Sequence, residues 1–194
     1  MTQTPISLLE RLRLRPDEAS WQRLVDLYTP LIRDWLRRHA LQPPDADDLV
    51  QDVLGVLVRE LPQFRHDLRP GAFRRWLRNV TVNRLRVFWR GRRARPLAPA
   101  DTDFEHTLAQ LQDPDSALSR LWDEEHDAHV LRRLLALMEQ EFEPVTLQAF
   151  RRLTFEGASG QEVAAELGMS LAAIYGAKSR ILQRLRQEAA GLLD

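Results

Sequence analysis

Residues 159–175 read SGQEVAAELGMSLAAIY, a pattern typical of two short helices joined by a tight turn. Ser159, with Glu162 three positions later, predicts a capping box at the start of the first helix. Gly168 predicts a left-handed residue that ends this helix, and Ser170 predicts the N-cap of the next one. These signals agree in spacing and order, so the stretch predicts a helix-turn-helix.

The second helix of this pair combines an apolar face with an outward face that is small and basic. Ile174, Ile181 and Leu185 recur at helical spacing and would anchor it. An outward face of small and basic side chains suits the DNA major groove, although a hairpin in a helical bundle is the alternative. The residues predicted to face DNA are Leu171, Ala172, Ala173, Tyr175, Lys178, Ser179, Arg180 and Arg184.

The rest of the chain also has helical periodicity, and no strand pattern or internal repeat is visible, so the predicted fold class is all-α. Apolar residues from Trp21 to Leu36 share one helical face, and Pro30 predicts a kink or a break there. A further helix begins at Pro43–Asp45 and ends at Pro62. The other predicted helices are 72–92, 118–141, 144–155, 159–167 and 171–188.

Charge is strongly segregated although the formal net charge is zero. Residues 74–95 hold nine arginines and no acidic residue, whereas residues 101–127 hold nine acidic residues and one arginine. This segregation predicts an anionic partner for one part of the chain only. Residues 96–117 are interrupted by prolines and are predicted to be a linker.

The 65–71 loop and the helix after it supply groups that stack on or pair with nucleic acid. The alternative is a solvated basic face, with the tryptophans as packing residues. We assign Trp76 to packing because it lies on the apolar face of the helix. The residues predicted to contact nucleic acid are Arg65, His66, Arg69, Arg74, Arg75, Arg78, Asn83, Arg86, Trp89 and Arg90.

Several function classes find no support in the sequence. There is no cysteine, which excludes disulfides and thiolate metal sites within this chain. His126 and His129 have a helical spacing but no third ligand of clear spacing, so no metal site is predicted. No nucleotide-binding glycine loop or catalytic arrangement stands out, and we expect no cofactor and no enzymatic activity. Without a signal peptide or a membrane span, we expect a cytoplasmic protein.

The order of motifs resembles the extracytoplasmic-function sigma factors of bacteria over roughly residues 10–190. The motifs are DDLVQDV at 47–53, FRRWLRNVTVNRL at 73–85, the arginine run, the linker and the helix-turn-helix. The phrase AAIYGAKSR at 172–180 looks closest to the planctomycete-type branch. The resemblance implies sigma region 2 at 1–95, a flexible acidic linker at 96–117 and sigma region 4 at 118–194.

The resemblance also implies partners and roles. Core RNA polymerase and promoter DNA would be the partners, and control by an anti-sigma factor or a kinase is left open. The loop 65–71 and helix 72–92 would recognise and melt the −10 element, and helix 171–186 would read the −35 element. The linker would act either as a nucleic-acid mimic or as a plain spacer. The residues that would bind the polymerase clamp are Asp47, Asp48, Leu49, Gln51 and Asp52.

The sequence leaves some points open. Leu49 and Val53 could be core residues and not interface residues. Tyr175 and Ala177 stand where basic residues are frequent in the family, and this departure puts the base preference and the phosphate contacts at −35 in question. The whole chain could instead be a helix-turn-helix regulator that does not join polymerase, or a helical interaction adaptor that binds an acidic partner.

Overall fold

The computed structural model describes residues 7–38, 41–64, 71–93 and 102–193. The secondary-structure elements of these residues are all helices. This confirms the predicted all-α class. One short 3-10 helix, Leu61–Gln63, continues α3 beyond Pro62. The α-helices are α1 (Leu8–Leu14), α2 (Glu18–Arg37), α3 (Pro43–Glu60), α4 (Ala72–Arg93), α5 (Thr102–Gln112), α6 (Ala117–Glu141), α7 (Pro144–Thr154), α8 (Gly160–Leu167) and α9 (Leu171–Ala189).

Helix α3 packs against both α2 and α4, and the three helices form the first half of the molecule. Each buries one apolar face, as the periodicity predicts. Of the kink or break predicted at Pro30, the break is absent, because helix α2 runs through the proline. The packing of Tyr28 and Ile32, both fully buried, holds the helix on either side of the proline.

Helices α6–α9 form the second half, in which α9 packs against α6, α7 and α8. Their bounds match the predicted helices to within a residue or two. A small second core lies between α7, α8 and α9, and it contains Ala149, Val163, Ile174 and Ala177. This core fixes how α8 and α9, the two helices of the helix-turn-helix, cross each other.

The segment predicted to be a flexible linker contains helix α5, which corrects that prediction. Leu108 and Leu111 are completely buried in the main core, and α5 packs on both α4 and α6. Ser119 of α6 donates a hydrogen bond to the backbone carbonyl of Leu111. The two leucines, one helical turn apart, give α5 an apolar face, although the prolines before and after it had indicated a linker.

The two halves pack together through α2, α4 and α6 around one continuous core. Trp35 of α2 meets Trp122 of α6 edge to face, with ring centroids 4.8 Å apart. The hydroxyl of Tyr28 lies 3.2 Å from Nε2 of the fully buried His126. An aromatic pair such as Trp35 and Trp122 stabilises the fold by about 0.5–1.5 kcal/mol beyond the contribution of its buried area.

Helix α1 joins the beginning of the described chain to its end. A capping box of Ser7 and Glu10 starts it, and its leucines enter the core. Arg11 reaches Glu188 of α9 at 3.2 Å, and Arg23 of α2 reaches the same carboxylate at 3.4 Å. Since the Glu188 side chain is only 1% exposed, it is a buried charge that arginines from both halves neutralise.

No helix in the described ranges is both long enough and apolar enough to span a membrane.

Candidate nucleic-acid interface

The helix-turn-helix has the capping geometry that the sequence predicts. The Ser159 hydroxyl accepts from the Glu162 amide at 3.3 Å, and the Glu162 carboxylate accepts from the Ser159 amide at 2.7 Å. Gly168 is left-handed, with φ of 63°, and lets the Met169 amide donate to the Ala164 carbonyl. The Ser170 hydroxyl caps α9 by accepting from the Ala173 amide. The turn is thus fixed by hydrogen bonds at both ends.

The inner face of α9 is anchored as predicted, because Ile174 and Ile181 are fully buried and Leu185 is nearly so. Ala177 is also fully buried in the small core with Val163. A long basic side chain at position 177 would have no space there, so the alanine is a packing residue of this chain and leaves any DNA contact to its neighbours.

The outer face of α9 presents Leu171, Ala172, Tyr175, Ser179 and Arg180 to solvent. Ala173 and Lys178 are half-buried at the edge of this surface. The Tyr175 ring lies over the start of α8, where a Cβ atom at Gly160 would lie 2.6 Å from the phenol oxygen. Gly160 thus leaves the space that the tyrosine ring occupies beside the exposed face.

Arg184 does not lie on this outer face, where the sequence had placed it. Its guanidinium donates to both Glu141 oxygens, at 2.7 and 2.9 Å, and also to the buried Glu188. The hydrogen bonds to Glu141 raise the pKa of Arg184, and they lower the pKa of Glu141. Arg184 therefore connects α9 to α6 within the molecule.

The polar residues of helix α4 lie on two sides of the helix, one exposed to solvent and one covered by other helices. Arg75, Asn83 and Arg90 are exposed. Arg86 is half-buried and donates to the Gln112 side chain of α5 at 3.1 Å. These residues lie along α4 and give it a cationic surface that an anionic ligand can reach in this arrangement.

Arg74 and Arg78 lie on the covered side, which corrects the prediction that they form an exposed nucleic-acid surface. Arg78 is 1% exposed and donates to Asp123 at 2.9 Å and to the Ser119 carbonyl at 3.1 Å. Arg74 donates to Asp127 at 2.6 Å. Burial lowers the pKa of Arg78 even though Asp123 opposes this effect. Both arginines face the acidic side of α6.

The aromatic residues of α4 are packed against their neighbours. Trp76 is half-buried and stacks on Phe64 at 4.7 Å, as its assignment to packing predicts. Trp89 is half-buried and meets Phe88 edge to face at 5.7 Å. Val87, in contrast, is 57% exposed.

Helix α3 presents an acidic surface on the side away from the core. Asp48, Gln51 and Asp52 are exposed, and Asp47 accepts from Arg33 at 2.6 Å. Leu49 is 2% exposed within the main core, so its assignment to an interface is corrected. Neighbouring residues of a helix point in different directions, so Leu49 faces the core while the carboxylates next to it in sequence face away from it.

The rings of His126 and His129 are engaged by other groups of the protein. His126 bonds Tyr28 and Asp127, and the His129 ring lies 2.7 Å from the Leu27 carbonyl. Burial by itself would raise the pKa of Asp127, but hydrogen bonds with His126 and Arg74 hold it below its ordinary value. Among the described residues, no cluster of three or more histidine and acidic side chains is arranged to hold a metal ion.

Part of the predicted interface lies outside the described residues, namely Arg65, His66 and Arg69. The sequence reasoning also missed α1, although Ser7, Glu10 and the leucines at helical spacing carried the signal. It missed the buried Glu188 as well. Of its three arginine partners, Arg184 lies four positions earlier on α9, whereas Arg11 and Arg23 come from helices that are distant in sequence.

Comparison with known proteins adds two findings. Residues 24–95, which contain α3 and α4 and most of α2, match the family model described as Sigma-70 region 2. A curated protein of Xanthomonas campestris pv. campestris, "Probable RNA polymerase sigma factor RfaY", is 29% identical over 143 residues. That alignment covers 74% of this chain and 34% of the relative, so the chain matches about a third of the relative's length.

Proposed function

We propose, on the premise that residues 24–95 form a Sigma-70 region 2 domain, that this chain is a sigma factor. It binds core RNA polymerase, directs it to promoters and takes part in opening the DNA, while the catalytic activity belongs to the polymerase. The observation that carries the proposal is the match over α2–α4, in a chain that also carries a fully capped helix-turn-helix.

The roles follow from where the surfaces lie. The exposed carboxylates Asp48 and Asp52 on α3 would bind the polymerase clamp, with Gln51 and Asp47 beside them. The exposed α4 residues Arg75, Asn83 and Arg90 would contact the −10 element. The outer face of α9 would read the −35 element as duplex.

We assign the chain to the extracytoplasmic-function type, close to the planctomycete-like branch. The support is the short connection between the two modules, in which α5 is the one helix among the residues that the structure describes. Action in the cytoplasm follows from this role, since core polymerase and promoter DNA are found there.

The −35 role predicts a change in salt dependence. Lys178→Ala combined with Arg180→Ala should weaken binding to −35 duplex and lower the slope of log affinity against log salt. The slope should fall by about one unit for each lost phosphate contact. Fluorescence anisotropy over a salt series measures both quantities. Arg186→Ala, an exposed arginine in the last turn of α9, is the matched control, and an unaltered slope in the double variant would argue against the assignment.

The −10 role predicts a loss of promoter opening without a loss of polymerase binding. Arg75→Ala combined with Arg90→Ala removes two exposed cations of α4 that can stack on or pair with unstacked bases, each contact contributing about 1–3 kcal/mol. Permanganate reactivity of −10 thymines should fall several-fold. Arg59→Ala, exposed in the last turn of α3, should leave it unchanged. Wild-type reactivity in the double variant would refute the role.

Binding to polymerase separates the proposal from its rivals. The purified chain, mixed with core RNA polymerase from the organism that encodes it, should co-elute as a stoichiometric complex at low and moderate salt. A helix-turn-helix regulator would bind duplex DNA but not core enzyme, and an interaction adaptor would bind neither. Absence of the complex would therefore overturn the proposal.

A further inference from the structure

We propose that the outward face of α6 binds a second copy of this chain, with the two α6 helices packed antiparallel across a two-fold axis at Ala128. The inference goes beyond the proposed function and does not depend on it. This surface is called the α6 seam. Its residues are Leu121, Glu124, Ala128, Leu131, Arg132 and Leu135.

The α6 seam leaves apolar side chains in water on a helix that is otherwise firmly packed. Leu121 and Leu131 are 46% and 43% exposed, and Ala128 is exposed between them. Leu135 is half-buried and keeps one side against the core. Contiguous apolar surface on one face of a helix is typical of a protein contact site. The residues that anchor the opposite face of α6 are Trp122, His126, Val130, Leu134 and Met138.

The spacing of the seam fits a helix as the partner. Leu121, Ala128 and Leu135 are seven positions apart, which is the repeat at which one helix presents the same side to another. The small Ala128 side chain stands at the centre of this line, where it lets two helix backbones approach closely, because the distance between packed helices depends on the side chains at the contact. The seam therefore predicts a close crossing at Ala128.

The charges of the seam favour an identical helix that runs in the opposite direction. When two copies cross antiparallel at Ala128, residues equally far before and after it face each other. Glu124 lies four positions before Ala128 and Arg132 lies four positions after it, so each carboxylate faces a guanidinium of the other copy. Leu121 and Leu135 meet in the same way, seven positions from the centre. The two-fold axis makes each of these contacts twice.

The charged groups of the seam are available for these contacts. Glu124 and Arg132 are exposed, and neither forms an ion pair with any residue that the structure describes. The neighbouring Glu125, in contrast, is bonded to Arg38. A parallel pair in register would set Glu124 against Glu124 and Arg132 against Arg132, and like charges brought together at an interface are unfavourable. The seam is therefore complementary to itself in the antiparallel direction.

The test measures the mass of the full chain by analytical ultracentrifugation over a concentration series at low salt, where exposed ion pairs are least screened. We expect a reversible dimer. Glu124→Arg sets arginine against arginine, and Arg132→Glu sets carboxylate against carboxylate, so each should weaken association about tenfold. Combining the two changes restores opposite charges and should return the affinity to within about twofold of the wild type. Glu60→Arg makes the same charge change on α3 and should associate like the wild type.

Disulfide trapping tests the position of the axis. Because the chain has no cysteine, Ala128→Cys places a single thiol in each copy, and the proposed axis brings the two together. A disulfide requires Cα atoms within about 7 Å of each other, so mild oxidation should convert most of this variant to a covalent dimer. Ala136→Cys, exposed on the same helix about two turns away, is the control and should stay mostly monomeric.

Each altered side chain is exposed, so circular dichroism should show the wild-type helical content. If one charge variant loses its helices, the trapping experiment decides. A wild-type chain that stays monomeric, with no more trapping at position 128 than at position 136, would overturn the proposal. Dimers that persist unchanged in both single charge variants would place the contact on another surface. Weakening that the combined variant does not reverse would contradict the antiparallel pairing.

Discussion

Asp48→Arg is expected to abolish detectable binding to core RNA polymerase while leaving the helices intact. Asp48 is exposed on α3, whose buried face is anchored in the core by Val53 and Leu57. Reversing its charge places a cation where the proposed partner surface requires an anion, and like charges brought together at an interface cost several kcal/mol. Competition with the wild-type chain for a limiting amount of core enzyme measures the effect, and we expect a loss of about a hundredfold or more.

The control for this variant is Glu60→Arg, which makes the same charge change on the same helix. Glu60 is exposed in the last turn of α3, where a cation also suits the helix dipole. It should compete like the wild-type chain, and far-UV circular dichroism should be the same for both variants. Normal competition by Asp48→Arg would remove α3 from the polymerase interface.

Glu188→Ala is expected to cause the largest loss of stability among single changes to a charged residue. The carboxylate is 1% exposed and binds Arg11, Arg23 and Arg184, so its removal leaves three arginines without this shared partner. Loss of one member of a fully buried pair costs about 3–5 kcal/mol. These arginines are 23–36% exposed and can regain water, so we expect about 2 kcal/mol.

Urea unfolding followed by circular dichroism measures this loss, and the melting temperature should fall by about 4–8 °C for a chain of this size. The neighbouring Gln187→Ala is the control and should change the free energy of unfolding by less than about 0.5 kcal/mol. If both variants unfold at the wild-type urea midpoint, the Glu188 cluster does not stabilise the fold.

Helices that carry local signals could be predicted from the sequence. The capping box at Ser159, the left-handed Gly168 and the cap at Ser170 all lie where the chain's own chemistry places them. The bounds of α3 and α4 follow from proline positions and apolar spacing in the same way. Such features depend on residues three or four positions apart, and those are visible in a linear sequence.

Features that depend on distant helices could not be predicted in this way. Whether Arg78 faces solvent or Asp123 depends on where α6 lies, and the two residues are 45 positions apart. Arg184 and Leu49 were misassigned for the same reason. A basic or acidic stretch gives the character of a surface, but the burial of each side chain is decided by the packing of the other half.

The bridge between Arg11 on α1 and Glu188 on α9 has a consequence for how the protein matures during synthesis. Domains generally form in the order in which the ribosome releases them. Helix α6 can cover α4 once residues 117–141 have emerged, but the bridge spans 177 positions and must wait for the last helix. A nascent chain that has released residues 117–141 but not residue 188 would therefore have α6 in contact with α4 while α1 is not yet bridged to α9.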